Sequence, residues 1–288
     1  MMKLNLFFLF LFVMLFIAQT NAQSLISSYK TTGPEKGTLM IVGGGGKSDS
    51  IFAAFIKLAG GLNVPIVVIP TADGNEKHDQ NSGGAGTFRK LGATNVTVLH
   101  TYDKNIANSD SFVQPLLNAK AVWFGGGRQW RLVDAYANTQ TEKLLWKLLE
   151  RDGLIGGTSA GASIQGSFLT RGDSKNNQIM MGDHQVGFGF VKNIAIDQHV
   201  LARNRQFDLF EILKNKPELL GVGLDENMAI IVKGNQFEVL GNTYVLIYDT
   251  NFWSSEGSDL KNLPDKNKLF YLLRNGDKYD LYNRKVIK

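Results

Sequence analysis

The sequence predicts an α/β fold with a mostly parallel sheet and a β-rich carboxy-terminal annex, and three observations predict it. Short β-prone runs, apolar on consecutive residues, recur from Thr38 onward; such runs suit strands buried on both faces. Longer amphipathic stretches with helical spacing lie between them, the βαβ alternation that builds a parallel sheet with right-handed crossovers. After about residue 220 the texture changes to apolar runs divided by turn residues, which is a hairpin pattern.

Taken in order, Leu39-Met40-Ile41-Val42 is the first strand and leads into four glycines. Residues 43–48, ending in Lys47-Ser48, invite a phosphate-loop reading. That motif needs a glycine five residues before Gly46, where Ile41 stands, so the segment reads as a strand-to-helix turn with close backbone passage. Residues 51–58 form the first helix, Ile66-Val67-Val68-Ile69 the next strand, residues 87–91 a helix and Val96-Thr97-Val98-Leu99 a strand. Residues 112–117 are helical, Ala121-Val122-Trp123-Phe124 is a strand ending in three glycines, and residues 133–149 read as one helix. Leu154-Ile155 then runs into Gly156-Gly157-Thr158-Ser159. The later strands are centred on Met228-Ala229-Ile230-Ile231-Val232, Tyr244-Val245-Leu246-Ile247-Tyr248 and Lys268-Leu269-Phe270-Tyr271-Leu272-Leu273. Lys233-Gly234-Asn235 and Arg274-Asn275-Gly276-Asp277 mark hairpins.

The 288 residues suffice for two average domains or one large one. No linker, repeat or low-complexity segment divides them, so one α/β domain is expected: residues 1–22 as signal peptide, 23–245 as the catalytic domain and 246–288 as a β-rich extension packed on it. The amino terminus carries Lys3, an apolar run of thirteen residues and the small-x-small close Thr20-Asn21-Ala22. Thirteen residues fall short of the roughly 18 to 20 that span a bilayer, so the layout is that of a cleaved export signal. Periplasmic or secreted localisation follows, with no stable membrane insertion. The net charge of +5 is slight and dispersed, which argues against a nucleic-acid partner. With no cysteine, disulfides, thiolate metal sites and cysteine nucleophiles are all excluded. No metal constellation and no cofactor motif stands in the chain.

Covalent catalysis must therefore use another side chain, and Gly157-Thr158-Ser159-Ala160-Gly161 supplies one. A sharp strand-to-helix turn flanked by glycines lifts the Ser159 hydroxyl above the sheet, and the Ala160 amide can donate to an oxyanion. A serine nucleophile needs a base, and four histidines exist: His78, His100, His184 and His199. The first three read as ordinary loop or turn residues. His199 closes the strand-like run Ile194-Ala195-Ile196-Asp197-Gln198-His199, where α/β sites assemble, and Arg203 and Arg205 follow it. The acid that orients the base has three candidates, Glu226, Asp225 and Asp173. Gly125-Gly126-Gly127-Arg128-Gln129 forms a second strand-end turn whose amides can complete the oxyanion hole, with Gln129 at its lip.

These segments together resemble the cyanophycinase and aspartyl dipeptidase family of serine peptidases, over residues 39–232. The resemblance rests on Gly126-Gly127-Arg128-Gln129, on Gly156-Gly157-Thr158-Ser159-Ala160-Gly161-Ala162, on Asp197-Gln198-His199 with Arg203 and Arg205, and on Gly223-Leu224-Asp225-Glu226. It implies a three-layer, doubly wound, mostly parallel sheet similar to class I glutamine amidotransferases, with serine in place of their cysteine. It implies Ser159 as nucleophile, His199 as base, Glu226 as acid, and Gly127 and Ala160 as oxyanion donors. Gln129, Asp197, Gln198, Arg203 and Arg205 would line the pocket. The implied substrate is cyanophycin, a poly-aspartate chain with arginine on each β-carboxyl, cut to β-Asp-Arg dipeptides, and the implied assembly is a homodimer. One departure stands out: the family pattern has an arginine three residues after Arg205, and this chain has Asp208. An acid there is expected to repel a substrate carboxylate, which keeps two other readings open. One is a serine peptidase or amidohydrolase of the same fold for other acidic or isoaspartyl peptides; the other is a non-catalytic peptide-binding relative.

Overall fold

Strictly apolar strands bury both faces only if layers cover both. The computed structural model, which describes residues 30–45, 48–251, 253 and 268–287, shows how that is met. Strands β1 (Thr38–Val42), β2 (Ile66–Ile69), β3 (Val96–Val98), β4 (Ala121–Phe124) and β5 (Leu154–Thr158) pair in parallel in the order β1-β5-β4-β2-β3. Side chains alternate between the faces. Leu39, Ile41, Val67, Ile69, Val122 and Phe124 point into one core, while Met40, Val42, Val68 and Trp123 point into the other.

Helices α1 (Asp49–Ala59) and α2 (Ala85–Lys90) cover the second face, where Phe52, Phe55 and Phe88 cluster on Trp123. On the first face lie α3 (Lys104–Ala107), α4 (Asp110–Asn118), α5 (Gln129–Tyr136) and α6 (Gln140–Glu150), contributing Leu116, Leu132, Leu145 and Leu148 to its core. The single helix expected over residues 133–149 is thus two. Asn138 takes φ +62°, and Thr139 caps α6 by accepting from the Glu142 amide while the Glu142 carboxylate accepts from the Asn138 amide. That reciprocal cap restarts a helix inside an uninterrupted apolar pattern.

After the short α7 (Ala160–Ser163) the chain enters a second sheet, with β6 (Gly166–Phe168), β7 (Val191–Gln198) and, after α8 (Leu209–Asn215), β8 (Leu220–Leu224) in parallel. Strands β9 (Met228–Lys233) and β10 (Gln236–Gly241) return to the first sheet, β9 antiparallel to β1 and β10 antiparallel to β9, and Gly234-Asn235 forms the expected two-residue hairpin between them. Next, β11 (Val245–Tyr248) and β12 (Tyr271–Leu273) complete the second sheet, and β13 (Lys278–Asp280) and β14 (Lys285–Ile287) the edge of the first. The Arg274–Asp277 turn is therefore not a hairpin. Gly276 N–H donates to the Val239 carbonyl and Val239 N–H to the Asp277 carbonyl, drawing the outgoing strand onto β10 rather than back onto β12. Asp249 ties the two sheets: its buried carboxylate accepts from Tyr271 of β12 at 2.7 Å and Tyr279 of β13 at 2.8 Å.

The segment expected to be a signal peptide lies outside the described residues. Among the described residues no helix is long and apolar enough to cross a membrane.

Candidate active site

The chain leaves β5 and enters α7 through Ser159, which takes φ +56° and ψ −110°. An L-residue holds such a conformation only where its surroundings over-determine it. Here the Ser159 amide donates to the Val42 carbonyl of β1 at 3.0 Å. The turn also packs so closely on β4 that a Cβ on Gly161 would lie 2.4 Å from the Phe124 carbonyl oxygen. Glycine is what allows that approach.

His199 follows directly on β7 with φ +55°, its amide donating to the Gly43 carbonyl at 2.9 Å. Its Nε2 lies 2.9 Å from Ser159 Oγ and its Nδ1 2.6 Å from Glu226 Oε1. With a carboxylate on Nδ1, that nitrogen carries the proton and Nε2 faces the hydroxyl as acceptor. Burial pushes the imidazole below its ordinary pKa, and the cations Arg203 and Arg205 act the same way against the opposing Glu226 bond, so the ring is neutral at neutral pH. The other two candidate acids are committed elsewhere. Asp225 accepts from the amides of Leu201 and Ala202 at 3.1 and 2.8 Å, and Asp173 from those of Lys175 and Asn176 at 2.9 and 2.8 Å. The remaining histidines lie apart: His100 bonds Thr71, His78 lies beside Asp73, and His184 bridges Asp183 and Asp134.

The glycine turn after β4 passes beside Ser159, where a Cβ on Gly126 would be 3.4 Å from Ser159 Cβ. The amides of Gly127 and Ala160 donate to no acceptor among the described residues. Unpaired amides near a serine are what the negative oxygen of a tetrahedral intermediate requires. Ser159, His199 and Glu226 form one hydrogen-bonded line from hydroxyl to carboxylate.

Residues 39–240 match the family model of Peptidase family S51. The chain belongs to Peptidase family S51. It is similar to a cyanophycinase of Geminocystis herdmanii, with 30% identity over 268 residues covering 87% of this chain and 95% of that one. A cyanophycinase of Synechococcus elongatus is 29% identical over 271 residues, covering 87% and 81%. The fold is similar to the crystal structure of a peptidase from an acI-B1 Actinobacterium, with TM-score 0.62 and 22% identity over 86% of this chain and 98% of that one. This S51 chain is a serine-type peptidase, and the reading as a non-catalytic relative falls away.

Around the S51 site the expected pocket residues divide. Arg203 is exposed, and Arg205 is buried against β7 with its Nη1 on the Gln198 carbonyl at 3.3 Å and side-chain oxygen at 3.2 Å. Two others are turned inward. Gln129 is 2% exposed, and its amide nitrogen donates to the Thr170 carbonyl instead of standing at the lip of the turn. Asp197 is fully buried, and Arg171 grips both of its oxygens, Nε on Oδ1 at 2.8 Å and Nη2 on Oδ2 at 3.0 Å. Their inward bonds arise from long-range pairings that strand-end position does not reveal.

Two residues absent from the sequence reading shape the site. Gly44 runs against the face of the His199 ring and its carbonyl accepts from Asn227 N–H at 3.1 Å, so it braces His199 and the loop of Glu226 together. Its only signal was a glycine run longer than a turn requires. The other is Arg171, a buried arginine at φ +57° that bonds both Asp197 and Asp208. Its sequence neighbours Thr170 and Gly172 read as plain turn residues.

Proposed function

We propose that this S51 peptidase is an exported exopeptidase that hydrolyses β-aspartyl-arginine peptides, cyanophycin among them, through an acyl-enzyme on Ser159. The reading is carried by one observation: His199 bridges Ser159 Oγ and Glu226 in a single hydrogen-bonded line, with Nε2 neutral and 2.9 Å from the hydroxyl. In the proposed reaction Ser159 Oγ attacks the scissile carbonyl while its proton passes to His199 Nε2. Glu226 stabilises the imidazolium, and the amides of Gly127 and Ala160 receive the oxyanion. Collapse expels the amine, which takes the proton from Nε2 and leaves an ester on Ser159. Water, deprotonated by the same nitrogen, then releases the acid and restores the serine.

The substrate assignment draws on the two cyanophycinase relatives and on the cationic Arg203 and Arg205 beside the base, which suit substrate carboxylates. Export draws on the amino-terminal sequence layout. The test is incubation of the purified enzyme with insoluble cyanophycin granules and mass analysis for released β-Asp-Arg. Release that disappears in Ser159→Ala is expected. A second reading, a peptidase for other acidic or isoaspartyl peptides, is favoured by the inward-turned Gln129 and Asp197. Turnover of small β-aspartyl peptides with no release from granules would select it.

A further inference from the structure

Asp197, the acid expected to line the pocket, is closed to a substrate in this chain. Asp197 has no exposed surface, and its oxygens are occupied by Arg171 and by the Gln198 amide at 2.9 Å. The same guanidinium holds a second acid. Arg171 Nη2 lies 3.0 Å from Asp197 Oδ2 and 2.5 Å from Asp208 Oδ2, so the two carboxylates share one nitrogen. Asp197 is two residues before His199, and the turns from His199 to Asp208 fold back through Arg203 N–H on His199 O, Arg205 N–H on Val200 O and Asp208 N–H on Arg205 O. Asp208 is thereby brought to the strand end that carries the base.

Its environment differs from that of Asp197. The Asp208 side chain is 36% exposed, and Oδ1 has no partner among the described residues. Arg205 feels the charge of both acids, but its guanidinium hydrogen-bonds Gln198 and neither carboxylate. One guanidinium against two carboxylates leaves a formal charge of −1 on the trio, and Asp208 is its only member open to water. Arg171, gripped on three sides by Asp197, Asp208 and the Asn177 carbonyl, fixes the orientation of that carboxylate. A carboxylate held at one oxygen and open at the other is a preorganised acceptor for a cation.

We infer that Asp208 is a specificity-determining residue, whose outward oxygen receives the cationic side chain of the substrate, a guanidinium or ammonium group. The inference rests on the peptidase reading above for the location of the substrate. It extends the sequence expectation: an acid that repels a substrate carboxylate selects for the basic arm of the peptide, because the single Arg171 leaves the trio with a formal charge of −1.

The test is equilibrium binding in the Ser159→Ala background, where no turnover intervenes. β-Asp-Arg and β-Asp-Leu are titrated into Ser159→Ala and into Ser159→Ala with Asp208→Asn, which keeps an acceptor oxygen for Arg171. The parent is expected to prefer β-Asp-Arg by about tenfold, and Asp208→Asn to bring the ratio near one. No preference in the parent, or a preference surviving Asp208→Asn, overturns the inference. Asp208→Ala gives the same readout should Asn perturb the loop. Release of β-Asp-Arg from cyanophycin by the unmodified enzyme tests the peptidase reading separately: a selective binder that releases none, and cleaves no longer β-aspartyl peptide, would sink that reading and leave the selectivity of Asp208 standing.

Discussion

Gly44 lies flat against His199: a Cβ placed on Gly44 would be 2.2 Å from His199 Cε1 and 2.5 Å from Nδ1. The backbone there has φ +134°, a conformation that L side chains rarely adopt. Gly44→Ala must therefore displace the imidazole, the glycine strand or both. Because a shift of about 1 Å at a catalytic group can cost on the order of 10²-fold, kcat/KM is expected to fall at least that far. The effect is specific if labelling of Ser159 by a fluorophosphonate slows in parallel while the thermal unfolding midpoint moves by only a few degrees. Unchanged kinetics would show that the ring has room the geometry denies.

Glu226 and Asp225 adjoin in the chain and do different work. Glu226→Gln should leave folding intact and cut kcat by 10²-fold or more, since a neutral amide neither fixes the Nδ1–H tautomer nor stabilises the imidazolium. Asp225→Ala should instead lower stability by about 1–2 kcal/mol, because it removes the acceptor of the Leu201 and Ala202 amides. Urea unfolding and steady-state kinetics on both variants separate the roles. A stability loss in Glu226→Gln with full activity would exchange the assignments.

What was readable from sequence followed what is local. Each strand of the parallel sheet was visible because burial on both faces writes itself as consecutive apolar residues, as in Ile66-Val67-Val68-Ile69. The turn at Ser159 was visible because glycines must flank a strained residue there. The α5–α6 break was hidden because Asn138 and Thr139 interrupt the helix without interrupting the apolar period. The sheet exchange after Leu273 was hidden because a tight turn looks the same whether its strands pair or part. In the site, the candidate acids could not be told apart: Glu226, Asp225 and Asp173 are equally polar on paper, and only their amide partners distinguish them. Asp197 and Gln129 read as pocket residues because strand-end position is local, whereas their partners, Arg171 and Thr170, are 26 and 41 residues away.

The acid limb of the pH profile should follow His199. A base must be neutral to accept a proton, so activity rises with pH through the folded-state pKa of the ring. Burial, with Arg203 and Arg205, holds that value below the ordinary histidine value of about 6.5, so kcat/KM should reach its plateau before neutrality. The sign for a variant follows. Arg203 disfavours the imidazolium, so Arg203→Gln raises the pKa and moves the acid limb to higher pH. Arg203 is exposed, so the displacement should be small and should shrink with added salt. A shift toward lower pH would contradict the charge argument.

The backbone of Ser159 separates catalysis from stability. At φ +56° and ψ −110° the residue carries strain of order 1–3 kcal/mol for any side chain, which glycine does not feel. Ser159→Ala and Ser159→Gly should both abolish hydrolysis, since neither has a nucleophile. They should differ in stability. Glycine relieves the strain but loses more chain entropy on folding, about 0.5–1 kcal/mol, so Ser159→Gly is expected to be more stable than Ser159→Ala by roughly 1 kcal/mol. Thermal unfolding of the pair at one pH reads the difference directly. Equal or inverted stabilities would mean that the Val42 hydrogen bond and the Gly161 contact no longer hold the turn once Oγ is gone, and that His199 itself helps to keep the nucleophile strained.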